Sequence, residues 1–284
     1  GDWDNAIHYA KKAIAFNKNM LPAYLLLGKL YAIKAQKADS LNAYEEAFKR
    51  ELLTQHLFFD WGVTLQIFDE FELAKEKFEK ALELAPEDEE NKAGVALTLA
   101  GLGSIEEAEN ILNTIKTLVD TNYVYSKAKA LINFQTGQYK EALEKFKSIK
   151  DQISFDISLN LYIAISYDAL GDKNNAKEYY EKSLVENPSD IKVYLKYADF
   201  LINNEEYENA QRKLRRAQKL SENNLDILNR LFHVSYILVK GNNCEYNVRE
   251  TLSIGDKIKN INEGEFKYPN EYSDLRNMYK QVEN

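Results

Sequence analysis

An alanine-sized residue recurs every 34 positions along this chain without a single insertion. From Ala74 the steps land on Ala6, Ser40, Ala108, Ala142, Ala176, Ala210 and Cys244. Four residues on, a second column keeps the same step through Ala10, Tyr44, Phe78, Leu112, Phe146, Tyr180, Leu214 and Val248. A third, upstream, reads Gly28, Gly62, Ala96, Ala130, Ala164, Ala198 and Phe232, and a turn column holds Gly1, Gly103, Gly137 and Gly171. A fixed period constrains the fold more than composition does. Each period must be one supersecondary unit that cannot bury its apolar face alone and needs stacked neighbours.

The stretch from Gln55 to Asp88 shows what that unit is. Its spacing predicts two amphipathic helices, joined by a tight turn at Asp69–Glu70 and closed by Pro86. Trp61, Gly62 and Leu65 share one face of the first helix, and Ala74, Phe78 and Ala81 share one face of the second. Small residues let the backbones approach, and the aromatic side chain fills the gap. Asp69 with Glu72, and Ser104 with Glu107, have capping-box spacing at the starts of second helices.

These columns resemble the tetratricopeptide repeat, and the resemblance covers about residues 1–251. It implies an all-α fold, a right-handed α-solenoid of tandem 34-residue helix–turn–helix repeats with a C-terminal capping helix. The expected division is a repeat array over 1–258, its first repeat incomplete and its last degenerate, then a linker and capping helix over 259–284. Pro269 suits the first turn of that last helix, which carries Tyr272, Leu275 and Tyr279. Local departures are Ala35 and Ser40 in place of Gly and Ala, and Phe232 in the small-residue column. The opening residues match a repeat whose first helix is missing, so the chain is expected to be cut from a longer array. The Ala6, Ala10, Ala13 side of its first helix is then under-covered and available for pairing; the oligomeric state is otherwise open.

Composition narrows the function. A net charge of −8 and a pI near 5.2 argue against nucleic acid, where phosphate neutralisation supplies most of the affinity. The basic run Arg212, Lys213, Arg215, Arg216 and Lys219 falls on an outer helix face beside Glu205, Glu206 and Glu208, and reads as solvated surface. No apolar run reaches the roughly 18 residues of a membrane span. His8, His56 and His233 form no metal-binding pair, Cys244 reads as a buried filler, and the glycines are spaced by the repeat rather than clustered around a phosphate. No catalytic residue, metal or cofactor is expected, and the chain is read as non-enzymatic. Its compartment is open: the cytoplasm is favoured, and any targeting signal would lie upstream.

What the resemblance implies instead is a concave groove, lined by the first helix of each repeat, that binds a peptide or an amphipathic helix of a protein partner. Carried onto this sequence, the groove positions are Phe59, Val63, Leu97, Lys127, Leu131, Phe134, Leu161, Tyr162, Ile165, Lys192, Leu195, Lys196, Asp199, Arg230 and His233. The apolar members at its middle would form a continuous docking strip; the opposing expectation is that tight curvature buries them as core. Lys127, Lys192 and Lys196 also fall in three of the five columns with which some co-chaperones of this family clamp a C-terminal carboxylate. Leu131 and Tyr162 occupy the two asparagine columns, so the hydrogen-bonding half of such a clamp is missing. The alternative to a free-standing scaffold is a partner- or substrate-recruiting arm of a larger enzyme or of a secretion or assembly machine.

Overall fold

The computed structural model describes residues 2–153, 156–242, 245–262 and 266–282; Gly1 and Cys244, members of two of the columns, lie outside them. Among the described residues there are sixteen helices and no strand. A compact N-terminal body, 1–187, holds α1 (Trp3–Phe16), α2 (Leu21–Ile33), α3 (Lys37–Lys49), α4 (Gln55–Ile67), α5 (Phe71–Leu84), α6 (Glu89–Leu102), α7 (Ile105–Leu112), α8 (Tyr123–Gln135), α9 (Tyr139–Gln152), α10 (Leu159–Ala169) and α11 (Lys173–Glu186). The C-terminal body, 188–284, holds α12 (Ile191–Asn203), α13 (Tyr207–Leu220), α14 (Leu225–Asn242), α15 (Glu245–Ile261) and α16 (Pro269–Val282). Successive helices pack as hairpins, α2 on α3, α4 on α5 and so on to α14 on α15. The chain is an all-α helical repeat solenoid.

The turns explain where each first helix stops. Ala35, Asp69, Gly103, Gly137, Gly171 and Glu205, each 34 residues from the next, all have positive φ, from 55° at Ala35 to 84° at Gly103. At each the following N–H bonds the carbonyl five residues back, for example Glu70 to Leu65 at 2.9 Å and Gln138 to Asn133 at 2.8 Å. This is the Schellman closure, which satisfies the orphan carbonyls of a helix end and favours glycine at the left-handed position.

That geometry overturns the expected capping boxes. Asp69 is the left-handed residue itself, and the residues preceding α5 and α7, Glu70 and Ser104, make no side-chain cap. Side-chain caps stand mainly at the first helices, in a further 34-residue column. Thr54, Asp88, Asn122, Asp190 and Asn224 accept the N–H groups of Leu57, Asn91, Tyr125, Val193 and Ile227.

Inside each hairpin the columns do what their sizes suggest. Ala74, Ala108, Ala142, Ala176 and Ala210 are buried, as are Tyr44, Phe78, Phe146, Tyr180 and Leu214 one turn on. Burying such a side chain stabilises by about 1.5–3 kcal/mol. Gly62 faces Phe78 so closely that an added Cβ would lie 3.0 Å from the ring. Ser40 is accommodated in the alanine column because its hydroxyl donates to the Gly28 carbonyl at 2.6 Å. On α1, Ile7 and Ala10 pack on Leu27, Leu30 and Ala43 with Ala6 beside them, so the side expected to be under-covered is in contact with α2 and α3. The aromatics left exposed on α1 are Trp3, Tyr9 and Phe16.

In the C-terminal body, Phe232 is buried because its neighbours differ from those of the earlier repeats. It meets Phe266 at 5.1 Å and Tyr268 at 6.0 Å, beside Gly255. Helix α16 begins at Pro269 and packs on α15, with Tyr272 and Leu275 buried.

Candidate functional site

The second helix of the fourth repeat is short. Helix α7 has 8 residues where α5, α9 and α11 have 14. The Thr114–Ile115 and Thr117–Leu118–Val119 stretch that follows is rich in β-branched residues, poor helix formers. Glu89, in the first turn of α6, holds that loop. Its carboxylate accepts the backbone N–H groups of Lys116 at 2.8 Å, Thr117 at 2.9 Å and Leu118 at 3.2 Å, together with the Thr117 hydroxyl. The Thr117 hydroxyl and the Lys116 amide pull the Glu89 pKa down to about 2. Next door, Glu90 accepts from the Asn122 side chain at 2.7 Å. With α7 cut short, α8 lies along α6, and its first turn meets residues of α4.

Two features of the first-helix face result. One is a pocket of about 390 Å³ lined by Leu26, Leu30 and Ile33 of α2, Phe59, Val63 and Ile67 of α4, and Tyr123 and Val124 of α8. Trp3 of α1, Glu90 of α6, Asn122 and the Lys29–Asp60 ion pair, 2.7 Å, also line it. Burial raises the Asp60 pKa, and Lys29 opposes that shift.

The other is a buried polar cluster. The Lys127 ammonium pairs with Asp156, both 0 % exposed, and donates to the Ser158 hydroxyl at 3.0 Å. Asp156 also accepts from the Tyr123 hydroxyl at 2.8 Å and from the Ser158 amide at 3.0 Å. Gln66 of α4 donates to the Tyr123 hydroxyl, and the Tyr162 hydroxyl donates to Asp69, 93 residues away, at 2.8 Å. Burial, then the Asp156 charge, pushes the Tyr123 phenol well up; burial and Asp69 do the same to Tyr162.

These contacts decide which expected groove residues have a surface to offer. Leu97 and Leu131 are 0 % exposed, and Leu161, Tyr162 and Val63 are also buried. The continuous apolar strip is therefore not open across the N-terminal body: its middle is core. The reason is that α8 closes on α6 and α10 reaches the α4–α5 turn, so side chains that would face a groove face each other. Lys127 is likewise corrected from a ligand-facing cation to the centre of the buried cluster, unavailable to a partner's carboxylate. Phe59, Phe134 and Ile165 are half-buried, and Val63 keeps an edge on the pocket. In the C-terminal body Lys192 and Lys196 are exposed and Leu195 and Asp199 half-buried. There Arg230 grips Asp199 through two bonds of 2.6 and 3.1 Å, and His233 stacks on Tyr268 at 5.0 Å.

Asp156 is the residue that motif reading missed. It stands 34 residues after Asn122 and before Asp190, so the cap column Thr54, Asp88, Asn122, Asp156, Asp190, Asn224 was available in the sequence. Among the described residues no group of His, Cys, Asp and Glu could hold a metal ion, and no helix is long and apolar enough to cross a membrane.

The architecture defines a class, the helical-hairpin repeat proteins, and part of the chain matches a family model. Residues 126–223 match the family model described as Tetratricopeptide repeat. Among solved structures, a chain of the APC/C hetero-tetramer Cut9–Hcn1 is similar with a TM-score of 0.65 at 13% identity, over 99% of this chain and 53% of that one; this chain thus spans about half its length. Pseudomonas aeruginosa pilF gives 0.55 at 18% identity, over 81% and 97%. A tetratricopeptide repeat protein from Parabacteroides merdae ATCC 43184 gives 0.48 at 19%, over 82% and 93%. No curated protein matches the sequence. Residues 126–223 thus carry the tetratricopeptide repeat, and the fold of the whole chain is similar to that of tetratricopeptide repeat proteins. That fold is one of protein-interaction scaffolds, and the family's members are generally non-catalytic.

Proposed function

We propose that this chain is a non-enzymatic scaffold that holds an apolar segment of a partner protein in the pocket between α2, α4 and the first turn of α8. The observation that carries this reading is the contrast on the first-helix face. Most of its apolar side chains are consumed by intramolecular contacts, yet Leu26, Leu30, Ile33, Phe59 and Val63 surround a space of about 390 Å³. That volume falls in the range of about 300–1,000 Å³ usual for ligand sites, and suits a few side chains of an inserted segment. Leu26 is 45 % exposed, an apolar surface that a docked segment would cover.

Affinity capture with the full chain and with Leu26→Asp tests the reading. Partner recovery should fall in the variant while helicity by circular dichroism stays the same. Equal recovery would remove the pocket as the docking site. Lys192, Leu195 and Lys196 in the C-terminal body are secondary contact positions on the same reading.

A recruiting arm of a larger machine is the second reading. It draws on the Cut9–Hcn1 comparison, in which a longer chain of similar fold sits in a hetero-tetramer. A catalytic or anchoring domain in the same reading frame would favour it.

A further inference from the structure

The charge of the chain is unevenly placed. Of its 37 basic and 45 acidic side chains, residues 188–284 hold 15 of each, which leaves 22 against 30 in residues 1–187. The whole excess of −8 therefore sits in the body that contains the apolar pocket. At the pocket itself the lining includes two carboxylates, Asp60 and Glu90, and one cation, Lys29. Lys29 neutralises Asp60 at 2.7 Å. Glu90 is bonded by the neutral Asn122 amide, and among the described residues no cation is recorded within ion-pair distance of it. Its charge stands uncompensated at the rim of an apolar cup.

We infer that the segment this pocket receives is a basic amphipathic helix, with apolar side chains entering between Leu26 and Phe59 and lysines or arginines over Glu90. The inference rests on the docking role proposed above and adds the chemistry of the occupant. An apolar anchor supplies affinity through area removed from water. Opposite charge at the rim, in the field of a body at −8, speeds encounter and selects against acidic helices. The acidic field alone would attract any polycation; the pocket is what would distinguish an amphipathic one.

The test uses the full chain and two labelled synthetic helices about five turns long, one of leucine and lysine at helical spacing, the other with glutamate replacing every lysine. Fluorescence anisotropy should show the lysine helix bound about tenfold or more tightly than the glutamate helix, a difference of about 1.4 kcal/mol. Binding should weaken with added salt and in Glu90→Gln. It should also fall about tenfold in Leu26→Asp, although that substitution adds negative charge; circular dichroism checks that both variants remain helical. Equal binding of the two helices, lost in Leu26→Asp, would keep the pocket as a docking site and overturn its preference for a basic occupant. A lysine helix that binds Leu26→Asp undiminished would reduce the attraction to surface charge and overturn the inference. Binding of neither helix would remove the docking role itself.

Discussion

A methyl group added at Gly28 would fall within the van der Waals envelope of the Tyr44 ring, which is itself fully buried and bonded to Thr64 at 2.9 Å. Neither ring nor backbone has room to retreat, because Tyr44 also stacks on Trp61 at 6.0 Å. Gly28→Ala should therefore destabilise by about 1–3 kcal/mol, the usual range for an overfilled core; urea unfolding measures it, and an unchanged midpoint would contradict the close approach. Lys127 raises a different question at the same scale. Its charge is buried with Asp156, so Lys127→Met should cost about 3–5 kcal/mol by leaving a buried carboxylate without its cation. The double variant Lys127→Met, Asp156→Leu should recover a large part of that loss. Thermal unfolding of the two variants separates these outcomes; a double variant as unstable as the single one would mean that packing, not the orphaned charge, sets the cost.

The short helix α7 matters through what replaces its missing turns. The loop after it is held by one carboxylate with a depressed pKa, and the direction of that shift fixes the pH response. Glu89 titrates near 4.5 when unfolded and near 2 when folded, so its contribution is complete above the unfolded value and is lost as pH falls through the window between them. Glu89→Gln should lower the melting temperature at pH 6, lower it less at pH 4, and have almost no effect near pH 2. Melting curves of both proteins across that range provide the check. A penalty that does not vary with pH would show that the amide bonds, rather than the ionised carboxylate, hold the loop. Because the same loop delivers Asn122 and Tyr123 to the pocket wall, any change in it reaches the proposed docking site as well.

At the scale of the molecule, the chain separates into two compact bodies at Asn187 and Pro188, inside a register that runs through both without interruption. Repeat arrays are held by nearest-neighbour interfaces, so regions with different interfaces open with different free energies. The N-terminal body has contacts that skip repeats, Tyr162 to Asp69 and Gln66 to Tyr123. The strongest amide protection in the full chain is therefore expected in α4, α6 and α8, with weaker protection in α12 and α14. Hydrogen exchange read by mass spectrometry tests this; uniform protection through both bodies would mean that the repeat-skipping contacts add no local stability.

The 34-residue columns made the hairpins legible because each depends on contacts within one period. Small against large, as at Gly62 and Phe78, is a relation between residues 16 apart, and periodicity displays it directly. The turn position was legible for the same reason. Its chemistry was only half so: Ala35, Asp69 and Glu205 take the left-handed conformation without being glycine. What the sequence by itself determined, then, is the helical repeat and its register. Tertiary structure alone decided which first-helix residues became core and which stayed at a pocket. That outcome depends on a helix ending early and on contacts reaching across several repeats, and a one-dimensional period carries no information about curvature.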